Sequence, residues 1–337
     1  MAEINYDVEI TSRYEYLAEL SNSVCSSQRA KHKNWHAEYV DLKICCDKGL
    51  VDEQHEVLPV ELYTEVAGKI IDLFQSRDKH VPLPVEVLAS SKQAAAMKPD
   101  YDSENSRFSA FIAAIHEYIP WEKTDVNGTG FYDLRRNNGS DGFMTCPVAN
   151  VEAMALISLV EAKWEVGSSG DPTVQGNLDY SKLCGKMYEV GIPGTLPCLL
   201  VTISGTIMTV QLAVVGKYVT ICSLCDGFQF QGREKVIAGA HLLWAINESH
   251  LLLQNYYITL PAVLPPASLP FLHRFEISGE VVNIKYTRRI KSGTNSFVFE
   301  VEVVDEESHW FSFSFIVKLV NLLKLINCFL KTRAAID

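Results

Sequence analysis

Ala155-Leu156-Ile157-Ser158-Leu159-Val160-Glu161-Ala162-Lys163 is an apolar run that closes on a charged triplet. Its Leu, Ile and Val content predicts a buried strand. Side chains alternate along a strand, so Glu161 and Lys163 emerge on the same side. Another acid, Asp141, precedes the run across a short gap. Two carboxylates on neighbouring strands can share a divalent cation, and a lysine beside the second can touch the water or phosphate which that cation polarises. Hard oxygen ligands of this kind suit Mg²⁺ or Mn²⁺.

The residues after the lysine fit the same reading. Trp164-Glu165-Val166-Gly167-Ser168-Ser169-Gly170 is a Gly/Ser loop, and Asp171-Pro172 then supplies an N-cap and a proline at the first helical position. Strand, loop and helix follow in the order of a nuclease core. The stretch Glu161-Ala162-Lys163-Trp164-Glu165, the Gly-x-x-Gly-Asp-Pro-x-x-Gln segment at 167–175, Leu178-Asp179-Tyr180 and the Glu234–Tyr257 helix ending in Tyr-Tyr carry a resemblance. They resemble the restriction-endonuclease-like, PD-(D/E)XK, module of fungal proteins, including Crinkler-type effectors, where it stands ahead of a protein-kinase-like domain. The likeness spans residues 100–257.

The resemblance implies a metal-dependent nuclease. Asp141 and Glu161, with the Ala162 carbonyl, would hold the cation, and Lys163 would orient the attacking water and offset charge on the phosphorane. Such cores also draw a carboxylate from their first helix. The 3.6-residue period of Phe108, Phe111, Ile112, Ile115 and Ile119 predicts that helix over 103–119 and puts Glu104 on its inward face, Glu117 on the far side. Glu104 is the candidate, although an acid in a first turn also complements the helix dipole. Asp141 follows the turn Asn137-Asn138-Gly139-Ser140, where an aspartate equally caps backbone amides; Asp133 is the reserve. Gln175, one turn into the next helix, either positions a phosphate or base or is solvated. Tyr180 reads as a core-edge tyrosine.

A formal net charge of −11 argues against wholesale electrostatic attraction to nucleic acid and requires a local basic rim instead. Hydrophobic content of 47% with 21% charged residues describes an ordered chain. The nine cysteines, 25, 45, 46, 146, 184, 198, 222, 225 and 328, have no regular framework, so reduced thiols are expected. Cys222-Ser-Leu-Cys225 is half a zinc site without a second half. Met1–Asp7 has no basic start and no apolar h-region, and the apolar stretch at 319–330 is broken by Asn321, Lys324 and Asn327. An intracellular protein, nuclear localisation included, with no membrane contact is the expectation.

Three regions are predicted. Residues 1–98 carry one helix, Val60–Gln75, and form an accessory region open to a protein partner. Residues 99–258 hold an α/β, restriction-endonuclease-like core with a mixed sheet flanked by helices. Its later elements are strands at Asp141–Cys146, Leu199–Ile203, Ile207–Val215 and Tyr218–Cys222, and a helix at Arg233–Tyr257. His241 and His250 on that helix lack ligand partners at metal spacing. The four prolines of 261–270 mark a linker. Beyond it, Phe275–Tyr286, Ser296–Val304 and Trp310–Lys318 alternate as strands of a small antiparallel sheet at 271–337. Phe315-Ile316-Val317-Lys318 resembles the nucleotide-lysine strand of a protein kinase, so a truncated kinase N-lobe is expected. His-Arg-Asp and Asp-Phe-Gly do not occur, and Lys318 is expected to be structural. The expectation is a metal-dependent phosphodiesterase acting on nucleic acid, DNA ahead of RNA. The alternative is a non-catalytic effector or interaction protein with a degenerate nuclease-like fold.

Overall fold

A computed structural model describes residues 15–18, 44–46, 60–76, 82–97, 104–123, 142–163, 171–216, 218–260, 274–277, 280–293, 296–303 and 314–320. The chain divides into two compact units, with a boundary between Ser268 and Leu269.

The larger unit is built on a mixed sheet. Its five long strands are β3 (Gly142–Pro147), β4 (Met154–Lys163), β5 (Cys198–Ser204), β6 (Ile207–Val215) and β7 (Val219–Gln229), with two-residue strands β1 (Cys45–Cys46) and β2 (Glu122–Lys123) at the edges. The spatial order is β1-β7-β6-β5-β4-β3-β2. Only β4–β5 and β1–β7 pair in parallel. Strand β4 is an interior strand, between β5 and β3, and is buried along nearly its whole length, which explains why it reads as a continuous apolar run.

Among the described residues, the helices that flank the sheet include α1 (Glu65–Gln75), α2 (Val85–Ala95), α3 (Glu104–Ile115), α4 (Pro172–Glu189) and α5 (Val236–Ile258). Helix α4 joins β4 to the parallel β5 and packs on β4, β5 and β6, whereas α5 packs on β3, β4 and β5. Their opposite placement follows from the alternation of β4. Glu161 meets α4, while Ser158 accepts a hydrogen bond from Trp121 Nε1 at 3.2 Å, and the Trp121 ring lies 6.1 Å from His250 of α5. Helices α1 and α2 pack on α5 in turn. The Arg233–Ile258 segment is long and apolar enough to cross a membrane, but 50% of its most apolar window is buried inside the fold.

The entry to β5 is clamped from both helices. Tyr180 of α4 donates to Leu196 O at 2.6 Å and Tyr257 of α5 donates to Pro197 O at 3.0 Å. Leu196 sits at φ 46°, a left-handed conformation that costs a bulky residue on the order of 1 kcal/mol or more. Its fully buried side chain and the two tyrosine hydroxyls hold it there.

Several expectations need correction. The described helices within residues 1–98 do not form a region of their own, because α1 and α2 pack on α5 and belong to the unit that runs from Arg13 to Ser268. The Val60–Gln75 helix is a 3-10 turn at Val60–Leu62 followed by α1, interrupted where Thr64 adopts an extended backbone, φ −159°. Strand β7 continues seven residues past the predicted end at Cys222.

In the smaller unit the predicted strand Phe275–Tyr286 is two strands, β8 (Arg274–Ile277) and β9 (Glu280–Gly293), with Ile277 opposite Glu280. The Ser278-Gly279 dipeptide between them is the turn signal that the apolar pattern outvoted. With β10 (Ser296–Val303) and β11 (Ser314–Val320) they form an antiparallel sheet in the order β11-β10-β9-β8. Ile284, Tyr286, Phe299 and Val301 are buried, and the two aromatic rings meet edge-on at 5.2 Å. Lys318 lies in β11 opposite Val298.

Candidate functional site

The charged end of β4 lies beside β5 in parallel register, with Glu161 opposite Thr202 and Lys163 opposite Ser204. Alternation puts all four residues on the face covered by α4. The start of α4 is fixed locally: Asp171 is the N-cap, and its Oδ1 accepts from Thr173 N at 2.8 Å and Val174 N at 3.3 Å, with Pro172 at the first helical position. That start brings the next residues of the helix over the strand ends.

Gln175 Nε2 donates to Glu161 Oε2 at 2.9 Å. Both side chains are buried, Glu161 fully and Gln175 with 3% exposure. A hydrogen bond onto a carboxylate is stronger than a neutral one and fixes the acceptor's rotamer. Thr173 and Thr202 extend the polar cluster, their hydroxyl oxygens 3.3 Å apart. Gly176 lies against the same pair of strands, where a Cβ would sit 3.5 Å from Glu161 Cγ and 3.8 Å from Thr202 Cγ2. Lys163 is half-buried, and its carbonyl accepts from Gly205 N at 3.1 Å, which ties the end of β4 to the β5–β6 turn.

Of the residues expected from sequence, Glu161, Lys163 and Gln175 come together. Gln175 is not solvated: it is buried and its amide donates to Glu161. Asp141 and Asp133 lie outside the described residues. The residue after Asp141, Gly142, pairs with Val160, next to Glu161 in the chain. Glu104 opens α3, and its side chain lies outside the described part. Glu117 is exposed just past α3. Tyr180 is a core residue with a structural hydrogen bond. Among the described residues no three His, Cys, Asp or Glu side chains are grouped to hold a metal ion.

The other candidates have packing roles. Cys222 and Cys225 are thiols on β7, one half-buried and one buried. Burial pushes the Cys146 thiol up to about 12 and that of Cys198 well above its ordinary value, so both stay protonated and inert. His250 is buried, and desolvation lowers its imidazole to about 3, which keeps it neutral.

Thr173 and Thr202 were missed. Thr202 sits in an apolar strand, Cys198-Leu199-Leu200-Val201-Thr202-Ile203, where a single hydroxyl carries no signal until the register with β4 is known. The arrangement that results is a rigid carboxylate at a strand end with a lysine two residues on and hydroxyls on the adjoining strand and helix. It is an oxygen-donor set with a cationic neighbour, suited to a hard cation and an anionic oxygen ligand. Comparisons of the chain with protein-family models, curated proteins and solved structures find no match.

Proposed function

We propose that the larger unit is a metal-dependent nuclease that hydrolyses phosphodiester bonds of nucleic acid, DNA ahead of RNA, on a restriction-endonuclease-like core. The observation that carries this reading is the buried Glu161 carboxylate, held by Gln175 at the end of β4, with Lys163 on the same face. A carboxylate is costly to bury, and fixing it with a dedicated amide is what a preorganised ligand requires. In this reading Glu161, the Ala162 carbonyl and Asp141 would hold Mg²⁺ or Mn²⁺, and Glu104 would be the further carboxylate available to the site. The bound ion supplies Lewis-acid polarisation of the phosphate.

The remaining chemistry falls to the chain. Gln175 positions Glu161 and Lys163 stabilises the charge that develops on phosphorus-bound oxygen. Water forms the new P–O bond, the ester P–O bond breaks, the attacking water loses its proton to solvent and the leaving oxygen takes one from solvent.

A second reading, a non-catalytic effector or interaction protein, draws on two observations: Glu161 Oε2 is already engaged by Gln175, and the net charge is −11. One pair of measurements separates them, calorimetric titration with Mn²⁺ and cleavage of single- and double-stranded DNA and RNA. Glu161→Ala is expected to lose metal binding and activity together. Lys163→Ala should keep the metal and lose about 10²–10³-fold in turnover, the scale for one electrostatic stabiliser. If the unmodified chain binds neither ion and cleaves none of these substrates, the nuclease reading fails and the interaction protein replaces it.

A further inference from the structure

A pocket opens at one end of the larger sheet, between α2, α3 and the turn that joins β5 to β6. Ile203 and Gly205 line it, as does Met208, the partner of Ile203 on β6. Ile203 alternates with Thr202 and Ser204, so the pocket lies on the opposite face of the sheet from Glu161 and Lys163. It is therefore separate from the candidate nuclease site, although Gly205 N donates to Lys163 O at the shared strand end. Phe111 and Phe230 complete an apolar wall, their rings meeting edge-on at 5.7 Å.

Of the residues lining the pocket, Arg107 of α3 alone is charged. It is 8% exposed, and among the described residues it is the one buried lysine or arginine. Burying a guanidinium is costly unless acceptors meet it. Arg107 has interactions within the protein, but a guanidinium presents five N–H donors in a planar fork, more than one partner fills. A guanidinium that served only to tie α3 to its neighbours would need no opening beside it. In a chain of net charge −11, an anion is drawn to a given point only by such a local cation. A carboxylate or a phosphate ester matches the fork, and an apolar body on the same molecule matches the wall. The small size of the pocket limits that body to a single ring or a short chain.

We propose that this pocket binds a small oxyanion carried on a compact apolar body, with Arg107 holding the anion and the Phe111–Phe230 wall the body. The proposal is independent of the nuclease reading. Ligand-observed NMR titration of the full chain tests it with benzoate and phenyl phosphate, and with benzyl alcohol as the uncharged control on the same ring. At least one anion should bind with a dissociation constant of about 1 mM or below, the reach of so small a ligand. It should bind about 10-fold or more tightly than benzyl alcohol, and the better anion tells a carboxylate site from a phosphate-ester site. Arg107→Met, uncharged and unbranched, should lose about 10-fold or more in anion affinity while benzyl alcohol binds as before, which reports an intact pocket. Since Arg107 also has interactions of its own, a second variant is placed at the half-buried Met97, just past α2 on the pocket lining. Met97→Trp should fill the pocket and abolish binding of all three probes with circular dichroism unchanged. Four outcomes overturn the proposal: neither anion binding below about 10 mM, benzyl alcohol matching the better anion, an anion affinity indifferent to Arg107→Met, or binding that survives Met97→Trp.

Discussion

The two faces of strand β4 bury polar groups by opposite means. On the α4 face, Glu161 is held by the Gln175 amide, with a threonine pair alongside. On the α5 face, His250 is buried against Trp121, and among the described residues neither ring nitrogen has a hydrogen-bond partner. The first face fixes its ionisable group with a hydrogen bond and the second buries one without. A buried ionisable group whose partner is removed costs stability, so the contrast can be tested by unfolding alone.

The largest effect is expected at the Glu161–Gln175 pair. Gln175→Leu leaves the carboxylate buried without its amide and should cost about 3 kcal/mol at pH 7. Removing both partners, Glu161→Leu with Gln175→Leu, should recover most of that loss, because two apolar groups of similar shape need no desolvation. Urea unfolding of the wild type, both single variants and the double variant measures the coupling. A neutral Gln175→Leu would mean that the amide does not hold the carboxylate, and the difference between the two faces would vanish.

The α5 face should respond to pH instead. His250 is lowered to about 3 in the folded state by desolvation, against about 6.5 unfolded. Between those values the unfolded chain carries the proton and the folded one does not, so stability falls as pH drops below about 6.5 and goes on falling to about 3. At pH 5 the loss from this one group is about 2 kcal/mol relative to pH 7. His250→Leu should remove that component, seen as a flatter dependence of the denaturation midpoint on pH between 7 and 5. An unchanged slope would show that the imidazole is hydrated or paired in solution.

How much of this was legible in the sequence depends on how local the signals are. Strand β4, the Asp171–Pro172 start of α4 and strand β6 are written in consecutive residues, through apolar runs, a cap and turn dipeptides. Helix α2 was missed because its Val85–Ala95 sequence has a weak apolar pattern and is fixed from outside, with Ser91 Oγ donating to Val236 O of α5 at 2.7 Å. The two-residue β1 exists only through its parallel pairing with Thr220 and Ile221. At the site, spacing alone joined Glu161 to Lys163. The partnership of Glu161 with Gln175 and the register with Thr202 needed the crossover through α4, which periodicity does not determine.

The smallest effect is a contrast of sign between two helical glycines, one behind each face. Gly239 of α5 sits where a Cβ would lie 2.7 Å from Ser91 Oγ and 3.0 Å from Phe230 Cε1, contacts that require those side chains to give way. Overpacking costs about 1–3 kcal/mol and alanine's helix preference returns about 1, so Gly239→Ala should be destabilising by about 1 kcal/mol. Gly176 of α4 has ordinary van der Waals room at 3.5 Å and 3.8 Å from Glu161 Cγ and Thr202 Cγ2. Gly176→Ala should therefore stabilise by about 0.5–1 kcal/mol, the propensity term alone, and raise the melting temperature by a few degrees. The added methyl would rest on the Glu161 stem, narrowing its rotamers further. If Gly176→Ala instead lowers the melting temperature as Gly239→Ala does, α4 lies closer to Glu161 in solution than those distances allow, and the glycine is there to admit the carboxylate.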